Sequence, residues 1–337
     1  MINKRALNLF IAYFLIVFIS FTQELSAVKW IDLETAINMQ KEKSKPLYID
    51  VYTDWCGWCK KMDRSTYMHP QIANYINQNF YPVKFNAETR DTIKYNGKIY
   101  TNQSVGRRPT HSLAKELLQG KLTYPSTIIF DKNKRATLLS GYLSVQDLQP
   151  ILIYVSEEGN VFNSFDEFKI NYKHTFEPDS LTEATFTGQI EWIPLENALT
   201  LIKENPKKIL LNIYADWSNT SKMAQTGYRH PLIADYINKN FYPVKLSAIS
   251  RDTINFYSDQ FVNESKEPSY HPFIVALLEQ KMQFPTTVIF NEKAQRTPPI
   301  QHYMSSRPFE MVLKYYGDDA YTNTDWKEYQ KSFKSSF

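Results

Sequence analysis

A long internal repeat constrains this 337-residue chain more than any other feature. Residues 69–84 read HPQIANYINQNFYPVK and residues 230–245 read HPLIADYINKNFYPVK, with thirteen of sixteen positions identical. The match extends to RDTI in both copies and to TYPSTIIF against FPTTVIF, and the offset drifts only from 162 to 160 residues. A chain of this length has room for two domains. The sequence therefore predicts a tandem duplication of one domain together with its trailing helix.

The first copy contains the only two cysteines, in the segment IDVYTDWCGWCKKM. Cys56 and Cys59 follow an apolar, strand-like run and begin a helix-like stretch. Two cysteines at this spacing can close a small disulfide or open to a dithiol. The first thiol would meet the positive end of a helix, which stabilises the thiolate. A C-x-x-C beside a β/α pattern indicates a redox pair.

Metal and haem sites are poorer interpretations of this pair. A structural zinc site needs about four ligands. His69 could supply a third, but the sequence has no second cysteine pair. Haem attachment requires C-x-x-C-H, and Lys60 occupies the place of that histidine. We therefore expect no metal and no cofactor.

The residues around the pair resemble the active-site segment of the thioredoxin family. The resemblance rests on five features in the family's order: Asp50 six positions before the first cysteine, Trp55, Lys60, the K-x-N of residues 84–86, and Tyr124-Pro125 before an apolar strand. It implies an α/β fold of two tandem thioredoxin-like domains, each a central mixed sheet flanked by helices. It also implies that Pro125 is in the cis form and faces the cysteines.

The resemblance further implies a role for each site residue. Cys56 would be the exposed attacking thiolate and Cys59 the resolving thiol, while Asp50 would exchange a proton with Cys59 through water. The expected substrate-binding residues are Trp55, Gly57, Trp58, Tyr124 and Pro125. The two tryptophans would form an apolar platform around the thiol. Core packing is the alternative, mainly for Trp55, because its counterpart Trp217 persists in the second copy.

Within the first copy the pattern predicts alternating strands and helices, and the β/α order implies a sheet covered on both faces. The expected strands are 28–31, 47–52, 81–86, 127–131 and 137–141, and the expected helices are 33–42, 57–77, 112–118 and 145–156. The predicted domains are residues 28–158 and 190–317, with trailing segments 159–189 and 318–337. The His-Pro turns at His69 and His230 are expected to open the next helix, because proline suits a first helical turn.

Residues 87–108 exceed a minimal domain of this kind. Within them, TIKYNGKIYT alternates around Asn96-Gly97, which predicts a type I′ hairpin. The insertion could rim the active site or form a plain surface hairpin, and the sequence does not decide between them. The pair Arg107-Arg108 is expected to be a solvated loop.

The second copy has lost the redox residues. Ser218 and Ser221 stand for the cysteines, and Asn212 stands for Asp50. A buried carboxylate is costly, so an amide is easier to keep where no redox work is done. We expect this copy to be redox-silent, and to serve either partner binding or stabilisation of its neighbour.

The N-terminus predicts export. Residues 1–5 are basic and residues 7–21 are mostly apolar, as in a secretory signal, with cleavage after Thr22 or Ala27. An uncleaved inner-membrane anchor is the alternative, although the segment is short for a spanning helix. The expected location is a bacterial periplasm or another extracytoplasmic site. A net charge of +4 without a dense basic run gives no support for nucleic-acid binding.

These observations predict an exported thiol-disulfide oxidoreductase that reduces or isomerises disulfides of protein substrates. No positively charged residue lies between the cysteines, which favours reduction over oxidation. The expected partners are disulfide-containing proteins and an external electron donor or acceptor, such as a membrane redox carrier. Two alternatives remain: a disulfide-forming oxidase, or a non-catalytic binding or scaffold protein that uses the degenerate second domain.

Overall fold

The computed structural model describes residues 27–178 and 186–336. The predicted signal segment, residues 1–27, therefore lies almost wholly outside the described residues. The chain divides into two compact units, Met1–Gln149 and Pro150–Phe337. The predicted domain boundaries stay predictions. Among the described helices, none combines the length and apolar character needed to cross a membrane.

The first unit alternates helices and strands as predicted. Its elements in chain order are α1 (Leu33–Glu42), β1 (Leu47–Tyr52), α2 (Gly57–Ser65), α3 (Pro70–Asn79), β2 (Tyr81–Asn86), β3 (Ile93–Tyr95), β4 (Lys98–Tyr100), α4 (Ser112–Leu117), β5 (Ser126–Phe130) and β6 (Ala136–Ser140). Helix α5 (Val145–Ser156) begins in this unit and ends in the next.

Four strands form one mixed sheet in the order β2-β1-β5-β6. Strand β1 pairs parallel with β2 and antiparallel with β5, and β5 pairs antiparallel with β6. The central strand β1 is almost wholly buried, as expected for a strand covered on both faces. Asp50 lies in this strand, opposite Lys84 of β2 and Thr127 of β5. The register therefore places a carboxylate, an amine and a hydroxyl side by side.

The predicted helix over residues 57–77 is wrong, because it is two helices separated by a turn. Helix α2 ends at Ser65, and α3 begins at Pro70 after His69 in an extended conformation. Proline lacks an N–H and disfavours helical geometry in the residue before it, so one continuous helix is excluded. His69 and His230 each precede the proline that starts a helix, which confirms their predicted structural role.

The predicted strand over residues 28–31 is also wrong. Only Ile31 pairs with the sheet, through a single parallel bridge to Val83 in which its N–H donates to Pro82 O at 2.9 Å. The next ladder bond toward the N-terminus would need an N–H from Pro82. Proline has none, so the pairing ends there.

The insertion contains the predicted hairpin. Strands β3 and β4 are antiparallel, and both turn residues have positive φ, 48° at Asn96 and 77° at Gly97. This is the type I′ pattern, for which Asn-Gly is the preferred sequence. The hairpin contacts α1, whereas the end of the insertion at Arg108 reaches a tryptophan beside the cysteines.

The second unit repeats the same architecture. Its elements after α5 are α6 (Phe165–Phe176), α7 (Leu195–Glu204), β7 (Lys208–Tyr214), α8 (Asn219–Gly227), α9 (Pro231–Asn240), β8 (Phe241–Ser247), β9 (Ile254–Phe256), β10 (Asp259–Phe261), α10 (Pro272–Leu277), β11 (Thr286–Phe290), β12 (Ile300–Gln301), α11 (Ser306–Gly317), a 3-10 turn (Ala320–Thr322) and α12 (Trp326–Ser332). The sheet order is β12-β11-β7-β8, which repeats the pairing of the first sheet.

Candidate functional site

The two cysteines form a disulfide at the start of α2. Cys56 is the N-cap residue, and the backbone N–H of Cys59 lies 3.1 Å from the Cys56 sulfur. The first turn of α2 contains no acidic residue. A helix N-terminus presents unsatisfied N–H groups and partial positive charge, so a thiolate released at Cys56 is stabilised there. Cys56, expected to be the exposed thiol, is only 4% exposed in this oxidised pair, and Cys59 is 2% exposed, so the disulfide buries both residues.

A buried ion pair lies in the sheet behind this helix. The Asp50 side chain is 1% exposed, and its Oδ2 lies 2.7 Å from Lys84 Nζ. Lys84 also pairs with Asp63 of α2, whose side chain is 41% exposed. The ammonium lies 5.0–5.1 Å from the ring centroids of Trp30, Tyr52 and Tyr67. One lysine therefore links a buried and an exposed carboxylate.

Burial raises the pKa of the Asp50 carboxyl, and the nearby Lys84 only partly opposes this. Burial also disfavours a charged Lys84, but its two carboxylate partners outweigh that effect and raise the pKa of the amine. Among the described residues, no hydrogen-bond partner lies near Asp50 Oδ1, and Asp50 makes no direct bond to either cysteine. Its expected proton exchange with Cys59 through water stays a prediction. Sequence reasoning did not find Asp63, because only the fold places it beside Lys84.

Trp55 and Tyr124 lie together beside the disulfide. Their rings pack edge to face with centroids 6.1 Å apart, and the Tyr124–Pro125 peptide bond is cis, as the resemblance implied. Trp55 is 46% exposed, so it does not pack in the core. Its indole N–H donates to Glu88 Oε1 at 2.9 Å. The Arg108 guanidinium lies 3.8 Å from the centroid of its ring, so this arginine is exposed but is not a free loop residue.

Trp58, which precedes Cys59 in the sequence, is a second exposed ring. It is 57% exposed, which also excludes core packing, and its ring lies 5.6 Å from that of Tyr142. Lys61 Nζ lies 4.6 Å from the Trp58 centroid and 4.9 Å from the Tyr142 centroid. Between the cysteines, a Cβ added to Gly57 would meet no atom within 4 Å. The surface at Gly57 is therefore open to an approaching chain.

The corresponding place in the second unit contains a carboxylate. Ser218 is the N-cap of α8, as Cys56 is of α2. Glu157 Oε2 accepts from the hydroxyls of Ser218 and Thr220 at 2.9 and 2.8 Å and from Thr220 N–H at 2.8 Å. Its Oε1 accepts from the Asn219 side-chain amide at 2.8 Å and from the backbone N–H at 3.3 Å. No sequence signal indicated this contact, since Glu157 lies more than sixty residues before its partners.

The second unit also shows what replaces the buried ion pair. Asn212 is 1% exposed and donates its amide to the Tyr228 hydroxyl at 2.6 Å. Lys245, the counterpart of Lys84, donates to Gln225 Oε1 at 2.8 Å. Both carboxylates of the first unit are thus replaced by amides. The Phe284–Pro285 bond remains cis.

The described residues contain no group of three or more His, Cys, Asp and Glu side chains suited to a metal ion. The first unit offers a dithiol–disulfide pair, a buried carboxylate, and exposed rings flanked by cations.

Fold and site together define two tandem thioredoxin-like units, of which the first contains the cysteine pair. Residues 20–157 match the family model Thioredox_DsbH, whose description is protein of unknown function, DUF255. A 67-residue part, 20% of this chain, is 27% identical to Spermatogenesis-associated protein 20 of Rattus norvegicus. The match spans 8% of the length of that relative.

Solved structures with similar folds include three thioredoxin-type proteins. A thioredoxin-fold protein from Helicobacter pylori is 19% identical, with 38% of this chain and 80% of that chain covered at a TM-score of 0.28. A DsbH oxidoreductase is 17% identical, with coverage of 36% and 81% and a TM-score of 0.27. A thioredoxin from Thermus thermophilus is 12% identical, with coverage of 37% and 85% and a TM-score of 0.28.

Proposed function

We propose that this protein is an exported thiol-disulfide oxidoreductase that reduces or isomerises disulfides in other proteins. One observation carries the proposal: the only two cysteines form a disulfide at a helix N-terminus, between two exposed tryptophans. That position favours the thiolate form of Cys56 once the pair is reduced. Proteins that resemble thioredoxin use such a pair in the same way.

The exchange proceeds in two steps. The Cys56 thiolate attacks one sulfur of a substrate disulfide, forms a mixed disulfide and releases the other substrate sulfur as a thiolate. The Cys59 thiolate then attacks Cys56, releases the second substrate thiolate and closes the Cys56–Cys59 bond. Two electrons pass from the enzyme dithiol to the substrate disulfide. Asp50 accepts the Cys59 proton, and its raised pKa brings it closer to the range useful for a base near neutral pH.

Renewed reduction of the pair requires two electrons from outside. An external dithiol, presented by a membrane redox protein or a small thiol, returns the disulfide to the dithiol by the reverse exchange. If the pair accepted electrons from substrates instead, the protein would be an oxidase. The absence of a charged residue between Cys56 and Cys59 favours reduction.

The location belongs to the proposal as well. The basic and then apolar N-terminal sequence supports export to a bacterial periplasm, with an inner-membrane anchor as the alternative. In that compartment disulfides persist. Both cysteines of this chain lie in the motif, so it contains no further thiol that could be scrambled.

Exchange with a fluorescent disulfide peptide tests the proposal. The reduced full-length protein should open the peptide disulfide, and Cys56→Ser should abolish the reaction. Cys59→Ser should instead accumulate a mixed disulfide, because Cys56 can attack but cannot be released. If Cys56→Ser keeps full activity, or if the wild-type protein opens no disulfide at all, the proposed chemistry is wrong.

The second candidate is a binding or scaffold role for the degenerate unit. Ser218 and Ser221 cannot exchange disulfides, while the cis-proline loop is retained. Glu157 already occupies the start of α8, which argues against peptide docking at that place. The Cys56→Ser protein should then still capture cellular partners. Loss of that capture on further substitution in the second unit, but not in the first, would support this role.

A further inference from the structure

Five residues of the first unit form what we term the cation-aromatic collar: Trp55 and Trp58, which adjoin the two cysteines in the sequence, and their ring and cation partners Lys61, Arg108 and Tyr142. Each exposed indole has a cation stacked against it, Arg108 on Trp55 at 3.8 Å and Lys61 on Trp58 at 4.6 Å. A cation over an aromatic ring is attracted by the ring quadrupole, and this attraction is modest at an exposed site. The collar therefore presents two positive charges, each stacked on a tryptophan that adjoins a cysteine in the sequence.

These two charges are available to a partner. Among the described residues, no carboxylate lies within salt-bridge distance of Lys61 or Arg108, and both side chains are exposed. Nearby acidic groups make other contacts, and the exposed Asp54 accepts from the Asn86 side-chain amide. Glu88 accepts from the Trp55 indole, and Asp63 pairs with Lys84.

The second unit provides an internal comparison. His111 and His271 fix the register, because each Nε2 lies 3.0 Å from a backbone oxygen, that of Asp91 or Asp252 respectively. In that register Arg107 and Arg108 correspond to Glu267 and Pro268. The unit without cysteines thus has an acidic residue and a proline where the redox unit has two arginines.

The other half of the collar has changed in the same way. Counting from the equivalent helix starts at Cys56 and Ser218, Trp58 corresponds to Thr220 and Lys61 to Met223. Trp55 persists as Trp217, which is 53% exposed. Both cations and one ring are therefore absent from the copy that lost the cysteines. This points to a role connected with exchange rather than with the fold.

We infer that the collar selects substrates whose disulfide is flanked by acidic side chains. A carboxylate on either side of the attacked cysteine would pair with Arg108 or Lys61, while the peptide passes over the open surface at Gly57. Charge complementarity of this kind acts on encounter rate and on the choice among partners. The inference rests on the proposed function, because it assigns a substrate class to the same cysteine pair.

A series of disulfide peptides tests the inference. The peptides share one sequence and differ only in the residues flanking the cysteines, which are aspartate, serine or lysine. With full-length reduced protein, the second-order rate constant should be highest for aspartate and lowest for lysine. A difference of roughly tenfold is expected at low salt, and it should shrink as ionic strength rises.

Charge variants locate the effect. Lys61→Glu with Arg108→Glu should reverse the order of the peptides, and Lys61→Gln with Arg108→Gln should flatten it. The matched control is Lys43→Glu with Lys134→Glu, two exposed lysines at the opposite end of the sheet from Cys56, and it should keep the wild-type order. The neutral pair keeps the test informative if the acidic pair fails to fold.

The outcomes separate this inference from the proposed function. If the wild type opens none of the peptides, the oxidoreductase proposal fails. If it opens all three at the same rate, or if the control shifts the order as much as the collar variants do, exchange stands and the collar does not select acidic substrates.

Discussion

At the scale of single residues, the two units show how one buried position is filled in a unit with the cysteine pair and in a unit without it. Asp50 is a buried carboxylate with a raised pKa and one strong partner, Lys84. Asn212 fills the equivalent place as a neutral amide and donates to Tyr228. Keeping a buried charge is costly, so its presence in the cysteine-bearing unit indicates a function that outweighs the cost.

Asp50→Asn should therefore slow exchange and stabilise the fold. A carboxyl whose folded-state pKa is raised stabilises the protein below its unfolded pKa, and that contribution is lost as pH rises through the folded pKa. The Asp50→Asn protein should thus exceed the wild type in free energy of unfolding, and this difference should grow as pH rises from the unfolded toward the folded pKa of Asp50. Denaturant unfolding between about pH 4 and about pH 8 measures it.

The exposed Asp259→Asn is the matched control and should show no such pH-dependent gain. A less stable Asp50→Asn protein with full exchange activity would mean that the carboxylate is structural.

The two sulfurs should differ once reduced. Cys56 is the N-cap of α2 and Cys59 lies within its first turn, so the helix N-terminus favours thiolate at Cys56. Substoichiometric alkylation near neutral pH, followed by peptide mapping, should find the label mainly on Cys56. Preferential labelling of Cys59 would reverse the assigned roles.

At the scale of elements, the N-terminus of α8 depends on a side chain from outside the helix. Glu157 satisfies two backbone N–H groups of the first turn and two hydroxyls. Helix starts otherwise leave such donors unpaired. The carboxylate thus completes a cap that Ser218 alone begins.

Glu157→Ala should lower the free energy of unfolding of the second unit. Hydrogen bonds to charged groups contribute about 1.5–3 kcal/mol. Glu157→Gln should lose less, because one amide oxygen still accepts. Hydrogen exchange at the Thr220 amide should accelerate in the alanine protein, while the exposed Glu264→Ala should leave it unchanged. Equal protection in all variants would show that the contact contributes nothing.

Local patterns predicted most elements, because their signals lie within the elements themselves. Strands β1 and β2 and helices α1 and α5 were predicted from apolar runs and periodicity, and the hairpin from Asn96-Gly97. The His-Pro turn at His69 was expected to open a helix, but the predicted range 57–77 was not divided there, because the apolar pattern continues across it. Two contacts could not be predicted from sequence, because their residues are far apart in the chain and only the fold brings them together. These are the contact of Lys61 with Tyr142 and that of Glu157 with Thr220.

At the scale of the whole molecule, the chain has one two-electron site. After reduction and unfolding it should titrate two thiols, and after oxidation none. The full-length Cys56→Ser and Cys59→Ser double variant should be inert in exchange, because Ser218 and Ser221 leave the second unit without sulfur. Residual exchange by the double variant would require chemistry outside the cysteine pair.

The tethered carboxylate at α8 also has a consequence for competition. The fold of its own chain holds Glu157 beside α8, which corresponds to an effective concentration on the order of millimolar at that site. A free acidic peptide of similar intrinsic affinity, present at micromolar concentration, would displace Glu157 from only about one molecule in a thousand. The second unit is therefore occupied by its own chain, and acidic clients that meet this protein are left to the surface around Cys56.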